Sequence, residues 1–139
     1  MMPVLDVAQL TALFEQQFPQ AIETGAVLEE VGDMWARLRQ PIEHRHLRPG
    51  DTVSGPTLMG LADRAVYTAV LAQIGDVPLA VTTSLHIDFL RKPTQRDVIA
   101  RAELLKLGKR LAVGAVTMYS DGSDEPIAHA TVTYSIPPR

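Results

Sequence analysis

The sequence predicts an α+β fold in which one curled antiparallel sheet wraps around a single long helix. The run from Ser54 to Gln73 is apolar in nearly every direction around a helical axis, and a helix of that kind has to be surrounded by protein. Three or four long extended runs follow it and are joined by short turns, which makes them antiparallel neighbours. Because this helix is the only cover available for so long a sheet, the sheet has to curl around it.

Composition restricts the class of protein. The chain has 139 residues, enough for one domain over residues 1–139. Its formal net charge is −3 without a basic stripe, so no nucleic-acid partner is expected. The absence of cysteine excludes disulfides and thiolate chemistry. No apolar run reaches the ~20 residues of a membrane helix, and no signal-peptide pattern opens the chain. A soluble cytoplasmic protein without membrane contact is therefore expected.

Two elements are predicted before the central helix. An amphipathic helix, capped by Asp6 and ended by Pro19, is expected to pack on the outside of the fold. Two short extended runs then follow, Ala26–Val31 and Met34–Leu38, and the pair Gly32-Asp33 between them predicts a hairpin turn. The chain therefore enters the sheet through a hairpin.

Residues 40–53 are predicted to form a loop, because they contain two prolines, a glycine and a polar run with His44 and His46. These histidines alternate as a metal-binding pair would, but no carboxylate or cysteine cluster stands nearby in the sequence. Solvated loop histidines are therefore predicted, and a metal site is not.

The central helix is predicted to start at Gly55-Pro56, since proline suits the first helical turn, and to end near Gly75, a residue type suited to a helix C-terminus. The extended runs after it end at proline or at turn pairs such as Asp121-Gly122. One edge of the resulting sheet would be buried by dimerisation. The predicted strands are Leu79–Leu90, Val98–Leu107, Arg110–Tyr119 and Ile127–Ile136.

Two charged residues, Asp63 and Arg64, interrupt the apolar helix. A carboxylate in such surroundings is costly unless it is paired or hydrogen-bonded. One interpretation is a structural Asp63 paired with an arginine. The other is a catalytic carboxylate, because acids in unusual environments are concentrated at active sites. The residues alone leave both interpretations open.

Four stretches form an ordered pattern along the chain. They are Arg48-Pro49-Gly50 leading through Val53-Ser54-Gly55-Pro56 to Leu61-Ala62-Asp63, then Val81-Thr82 through Phe89-Leu90-Arg91-x-Pro93, then Gly108-Lys109-Arg110, and finally Ala128-x-Ala130-Thr131-x-Thr133-Tyr134. In order and spacing this pattern resembles the acyl-CoA thioesterases of the hotdog fold, in the phenylacetate-degradation (PaaI-like) group. The resemblance covers roughly residues 45–137. It implies a curled antiparallel sheet around one long helix, and the N-terminal helix lies outside it.

The resemblance also implies an activity, the hydrolysis of an acyl- or aryl-acyl-CoA to free acid and coenzyme A, without a cofactor beyond the coenzyme A of the substrate. Asp63 would activate water or attack the thioester carbonyl, the Gly55 N–H would polarise that carbonyl, and Thr82 would position the water. Arg48 stands where some relatives carry an asparagine that lines the site. Ser54 stands where the group commonly has a histidine, in a triplet that is His-Gly-Gly there and Ser-Gly-Pro here.

The spacing of Gly55 and Asp63 predicts a shared site. They are eight residues apart, which is roughly 12 Å along a helix. A thioester carbon has to come within about 3–3.5 Å of the nucleophile, with donors about 3 Å from its oxygen. One helix cannot easily supply both groups, so we expect a homodimer whose active sites are shared between subunits. The resemblance implies a tetramer made of two such dimers.

Further residues are weaker candidates for substrate binding. Basic side chains near strand ends could meet the phosphates of coenzyme A, although a solvated charged edge would look the same; they are Arg91, Lys92, Lys109 and Arg110. Met59 is a candidate for the substrate pocket, yet it and Tyr67 are residue types that more often belong to a core. His86 and Asp88 share one face of their strand, which favours a surface pair over a role in the site.

Two other functions stay open. A non-catalytic module that binds acyl-CoA or lipid is possible, but such a pocket has little reason to hold a costly acid at Asp63. A hotdog dehydratase or hydratase needs a histidine set close to the acid, and His46 lies seventeen residues before it.

Overall fold

The computed structural model describes residues 1–138, which form the predicted α+β hotdog arrangement. A six-stranded antiparallel sheet in the order β1-β2-β6-β7-β8-β5 curls around one long helix, and a separate two-stranded pair, β3-β4, precedes that helix. The helices are α1 (Val7–Gln17), α2 (Pro19–Glu23) and α3 (Gly55–Ile74), and the strands are β1 (Val27–Gly32), β2 (Trp35–Gln40), β3 (Leu47–Arg48), β4 (Thr52–Val53), β5 (Val81–Phe89), β6 (Val98–Leu107), β7 (Leu111–Ser120) and β8 (Pro126–Ser135).

The C-terminal half of α3 fills the concave side of the sheet. Residues 65–73 of the helix are buried on every side. The inner faces of β6, β7 and β8 carry small residues, and Gly114 of β7 allows the closest approach, since a Cβ there would stand 2.8 Å from the Val66 Cγ2. Packing this close leaves no room for a side chain at Gly114. The middle of α3 is thereby fixed against β7.

The N-terminal half of α3 differs, because one of its faces has no cover. Pro56 and Gly60 are exposed, Met59 is 41% exposed, and nothing lies within 4 Å of the position that a Cβ of Gly60 would take. The prediction of a helix surrounded by protein is therefore correct for the C-terminal half of α3 and wrong, within one chain, for the N-terminal half. The uncovered face lies at the end that carries the candidate site residues.

The N-terminal segment contains two helices instead of the predicted one. Asp6 caps α1 as expected, with its side chain accepting a hydrogen bond from the Gln9 N–H at 2.8 Å. The helix ends at Gln17, and Pro19 opens the short helix α2, because proline fits the first turn of a helix as well as it stops a preceding one. The buried residues Leu10, Leu13 and Phe14 anchor α1 in the main core.

The β1–β2 hairpin is present, but its turn lies at Asp33-Met34, one residue later than predicted. Met34 takes the left-handed φ of 63° that the turn requires. Gly32 remains paired in β1, where a Cβ would stand 2.3 Å from the indole nitrogen of Trp35. The glycine serves the packing of Trp35 and not the turn.

The predicted loop over residues 40–53 contains a 3₁₀ turn, His44–His46, followed by the β3–β4 pair. His44 is exposed as predicted, whereas the prediction of a solvated His46 is wrong: it is only 8% exposed. Its Nδ1 accepts a hydrogen bond from the Glu43 N–H at 2.9 Å, and this closes the turn and turns the ring inward. Residues 1–138 hold no group of three or more potential metal ligands.

None of the helices within residues 1–138 is long and apolar enough to cross a bilayer.

Candidate active site

Asp63 is held at the point where α3 passes β5 and β8. Its Oδ1 accepts a hydrogen bond from the Thr82 hydroxyl at 2.6 Å and from the Tyr134 hydroxyl at 2.7 Å. The register of the sheet places Thr82 directly opposite Tyr134, so both donors reach the same oxygen. Within residues 1–138 nothing donates to Oδ2. The carboxylate is therefore fixed through one oxygen, and the other is left for a ligand or water.

The interpretation of Asp63 as half of an ion pair does not describe the structure. No cation of residues 1–138 lies within ion-pair range of Asp63, and its partners are two neutral hydroxyl groups. The adjacent Arg64 is directed elsewhere, with its Nη1 donating to the carbonyl of Ala21 and to the Thr24 hydroxyl. Hydroxyl partners satisfy a carboxylate without cancelling its charge, which suits a group that has to act as a base or nucleophile.

Tyr134 is the site residue that sequence reasoning did not identify as functional. Burial raises the pKa of Tyr134 well above its usual range, and the nearby Asp63 carboxylate raises it further although the bond with Thr82 lowers it. The phenol therefore stays protonated and remains a donor. A sequence signal did exist, because a tyrosine on the inward face of a strand has to place its hydroxyl on a partner.

Asp63 lies in the wall of a cavity of about 550 Å³ between α2, α3 and the start of β5. Most of the wall is apolar, with contributions from Phe18, Val81 and Tyr67. Burial raises the pKa of Tyr67 to about 12, and its hydroxyl donates to the carbonyl of Pro78 at 2.8 Å. Tyr67 is buried in the core as expected and also lines this cavity. A largely apolar pocket with a few oriented polar groups is the usual form of a small-molecule site.

The other candidate catalytic residues, Ser54 and Gly55, lie at the start of α3. Ser54 is the N-cap, and its Oγ accepts a hydrogen bond from the Thr57 N–H at 3.2 Å. The Leu58 N–H bonds to the Ser54 carbonyl, and Pro56 has no N–H. These contacts leave the Gly55 N–H as the free backbone donor of the first turn. The Ser54 hydroxyl is engaged in capping.

A cleft of about 300 Å³ lies beside Gly55. The Phe89 ring covers the glycine, since a Cβ on Gly55 would stand 3.4 Å from it. Arg48 and Arg91 line the same cleft, and Arg91 is held by Glu125 at 3.0 Å. The cleft thus combines a helix N-terminus with two guanidinium groups, which suits an anionic or polarised ligand.

Within one chain the two halves of the predicted site remain apart. Gly55 and Asp63 line different cavities, and α3 is one continuous helix between them. Thr82 marks the beginning of β5 and Phe89 its end, so the two groups also lie at opposite ends of that strand.

The remaining predicted binding residues are divided between the same two ends. Arg48 and Arg91 belong to the Gly55 end. Lys109 and Arg110 are exposed in the β6–β7 turn. The Arg110 carbonyl accepts a hydrogen bond from the N–H of Ile136. Ile136 follows Ser135, which pairs with Val81 at the start of β5, so this turn lies at the Asp63 end. Met59 is exposed on the uncovered face of α3.

Strand β5 is an edge strand that pairs only with β8. It carries exposed apolar residues at both ends, with Val81 56% and Phe89 54% exposed, and Leu90 follows at 50%. His86 and Asp88 form an exposed pair on its outer face at 3.1 Å, as predicted. An unpaired edge with apolar side chains is a site for association with another strand.

A curled sheet around one helix, with a hydroxyl-bound carboxylate on that helix, defines a protein of the hotdog class. Residues 50–127 match the family model of the Thioesterase superfamily. This chain belongs to that superfamily.

Known proteins resemble the chain to different extents. A candidate thioesterase of Silicibacter sp. TM1040 is 44% identical, with 99% of this chain and 96% of that one covered and a TM-score of 0.89. The PaaI protein of the E. coli phenylacetic acid degradation operon has a TM-score of 0.82 at 19% identity, covering 94% of this chain and 93% of its own. The 3D-(3,5/4)-trihydroxycyclohexane-1,2-dione hydrolase of Shouchella clausii is 28% identical over 83% of this chain, which spans only 19% of that longer relative.

Proposed function

We propose that this protein hydrolyses acyl-CoA thioesters, with Asp63 as nucleophile or general base and the Gly55 N–H of a second subunit as oxyanion donor. The observation that carries the proposal is the Asp63 carboxylate, which is fixed by two hydroxyls on Oδ1 and has a free Oδ2 at the wall of an apolar cavity. Membership of the Thioesterase superfamily supports it.

The chemistry requires one nucleophilic oxygen and one stabilised oxyanion. Either Oδ2 of Asp63 attacks the thioester carbon directly, or it removes a proton from a water that attacks. Negative charge then develops on the carbonyl oxygen, where a backbone N–H at a helix N-terminus stabilises it. If Asp63 attacks directly, the C–S bond breaks as the acyl group moves to the carboxylate, and water then hydrolyses the mixed anhydride to release the free acid and restore Asp63. If Asp63 acts as a base, the activated water attacks the carbonyl, the C–S bond breaks, and the oxygen of that water remains in the free acid. In both routes coenzyme A leaves as a thiol with a proton that comes from water.

Pairing of two β5 edges would bring the missing group to Asp63. A two-fold axis near the middle of β5 makes the strands antiparallel, so the Thr82 end of one strand meets the Phe89 end of the other. Gly55 of one subunit would then lie near Asp63 of its partner, and the uncovered face of α3 with Met59 would be covered. This geometry supports a homodimer with shared sites. A dimer of such dimers remains an expectation from the family resemblance.

The cleft beside Gly55 would receive the coenzyme A part of the substrate. Arg48 and Arg91 both line it and would bind phosphate groups. Lys109 and Arg110 line no cavity together with Asp63, so they would contribute at longer range.

Neither alternative function gains support from the site. A dehydratase would need a histidine beside the acid, but His46 is buried in its 3₁₀ turn and lines a different cavity from Asp63. A binding module alone would not need a carboxylate whose second oxygen is left free.

The test is an assay of free thiol release from short, medium-length and aromatic acyl-CoAs, with Asp63→Asn beside the native protein. Asn keeps the acceptor that receives the Thr82 and Tyr134 hydroxyls but cannot act as a base or nucleophile. We expect cleavage of at least one substrate and a loss of roughly two orders of magnitude or more in kcat for the variant, at an unchanged Tm. A native protein that cleaves no acyl-CoA, or an Asn variant as active as native, would overturn the proposal.

A further inference from the structure

Arg64 is a partly buried cation without an acidic partner. Its Nη1 donates to two neutral oxygens, the Ala21 carbonyl and the Thr24 hydroxyl. Its Nε is shielded from solvent and has no hydrogen-bond partner within residues 1–138, and its guanidinium lies 5.3 Å from the centre of the Phe14 ring. Burial lowers the pKa of Arg64 from its usual value, yet an arginine stays charged in proteins.

The other partly buried arginines have carboxylate partners, which Arg64 lacks. Arg37, Arg39 and Arg101 each pair with at least one carboxylate at 2.8 to 3.2 Å. A desolvated charge without a counter-ion is costly, and an unpartnered buried donor adds to that cost. The side-on edge of the Arg64 guanidinium, which contains Nε, therefore has no acceptor within residues 1–138. An anion from outside the chain would satisfy it.

Two cavities meet at Arg64. One is the cavity that contains Asp63, and the other, of about 270 Å³, lies between α2, β2 and the start of α3. Thr24, Gly60 and Arg64 line both. Gly60 has no side chain, and nothing in the same chain lies within 4 Å of the position that its Cβ would take. A chain of atoms can therefore pass over Gly60 from one cavity into the other, between α3 and the second subunit of the proposed dimer.

The second cavity is lined mostly by apolar surface, and the polar side chains in its wall are hydrogen-bond donors and cations without any carboxylate. One of these cations, Arg45, pairs at 2.8 Å with Glu43, which does not line the cavity. Its polar wall consists of Thr24, Gln40, Arg45, His46, Thr57 and Arg64. The Gln40 amide and the Arg45 guanidinium also donate to the last carbonyl groups of α2, which fixes their positions, and Arg64 donates to the Ala21 carbonyl. Such a wall favours an anionic ligand.

We propose that the acyl pocket runs from Asp63 over Gly60 into this second cavity, and that Arg64 binds a carboxylate at the far end of the acyl chain. The preferred substrates are then coenzyme A half-thioesters of dicarboxylic acids. The proposal rests on the acyl-CoA hydrolysis proposed above and names its substrate class. As the carboxylate enters, the guanidinium turns toward the cavity, and the shielded Nε gains an acceptor in the side-on geometry that arginine offers carboxylates.

The test compares adipyl-CoA with hexanoyl-CoA, which have the same number of carbons and differ in the terminal carboxylate. Glutaryl- and suberyl-CoA with their uncharged counterparts cover neighbouring chain lengths. We expect the native protein to prefer the carboxylated substrate in kcat/KM by roughly tenfold or more, as a charge-assisted hydrogen bond allows. Arg64→Met should remove this preference through KM for the carboxylated substrate while hexanoyl-CoA changes by about twofold at most, and Arg64→Lys should retain part of it.

A matched control removes an arginine elsewhere. Arg101→Met takes away a guanidinium that stacks on Trp35 at 4.1 Å on the outer face of the sheet, and it should leave the preference unchanged. A native preference for the uncharged chain would overturn the proposal. An equal loss on both substrates in Arg64→Met would also overturn it, since that result means that Arg64 only holds α2.

Binding measurements separate this proposal from the hydrolysis on which it rests. Calorimetric titration of adipyl- and hexanoyl-CoA into Asp63→Asn, with and without Arg64→Met, does not require turnover. If the native protein hydrolyses neither substrate and binding still shows an Arg64-dependent preference for adipyl-CoA, the proposed hydrolase activity is overturned and the carboxylate site is supported. Hydrolysis of both substrates without any preference, or binding of neither, would overturn the carboxylate site.

Discussion

The two ends of the candidate site on α3 are built in different ways. At Asp63 the helix is clasped by strands, and two side-chain hydroxyls from β5 and β8 converge on one carboxylate oxygen. At Gly55 the start of the helix is not enclosed by strands, and the available group is a backbone N–H beside the exposed Phe89. Under the proposed function, one end would supply the nucleophile or base and the other end the oxyanion donor. This division is the reason why the proposed acting unit contains two chains.

The largest expected effect comes from removing the donor. Gly55→Pro deletes the N–H at a position where proline fits the helical turn, and kcat should fall roughly 10²-fold, as for other oxyanion donors. Gly55→Ala keeps the N–H, and its Cβ would stand at ordinary contact distance, 3.4 Å, from the Phe89 ring. Steady-state kinetics should therefore show a large loss for proline and a small one for alanine. Equal losses would assign the effect to packing.

Mixing the two defective proteins tests whether the halves come from different chains. If Asp63→Asn and Gly55→Pro subunits are unfolded together and refolded, half of the dimers are mixed and each has one intact site, so about a quarter of the native activity should return. No recovery in demonstrably mixed dimers would place both groups in one chain.

A smaller effect is expected from the hydroxyls that hold Asp63. Tyr134→Phe and Thr82→Val each remove one donor to Oδ1, and each should lower kcat about tenfold because a hydrogen bond to a charged group is lost. The two losses should not add in the double variant, since both donors share one acceptor. Tyr119→Phe and Thr117→Val on β7 make the same chemical changes outside the site and should leave kcat unchanged.

The smallest effect concerns the charges at the two ends. Arg48→Gln with Arg91→Gln should raise KM for an acyl-CoA a few-fold at low salt, and added salt should reduce the difference by screening. The same acyl group on pantetheine, which lacks the nucleotide phosphates, should show no such change. Lys109→Gln with Arg110→Gln is the matched pair at the Asp63 end and should have the weaker effect on KM. The reverse order would place the nucleotide at the β6–β7 turn.

Local patterns in the sequence account for most of the fold and for part of the site. The helix from Gly55 and the strand over Val98–Leu107 follow from apolar periodicity and turn residues, which are properties of neighbouring residues. The family resemblance implied that Thr82 positions a water in the site, and the structure shows its hydroxyl donating to Asp63. Periodicity alone could not supply it, because it depends on how β5 lies against the helix.

What escaped prediction depends on contacts between distant residues. The bond from Tyr134 to Asp63 spans 71 residues and requires the register of β8 against β5. The burial of His46 follows from the turn that Glu43 closes and from the neighbouring Gln40 side chain, although the loop composition is polar. The turn lies one residue later than predicted, and the Trp35 ring occupies the space over Gly32. In each case packing overrides a correct local preference.

In the proposed dimer, the packing of Gly114 in the core would help to set the distance between Gly55 of one subunit and Asp63 of the other. It fixes α3 against β7 at Val66, eleven residues after Gly55, which is roughly 16 Å along the helix. If a methyl group at Gly114 tilted the helix by a few degrees about that contact, the N-terminal tip would swing by about 1 Å, and a displacement of that size can cost 10²-fold in rate. In the proposed dimer, the distance between these two groups would thus depend on a glycine that contacts neither the substrate nor the partner subunit.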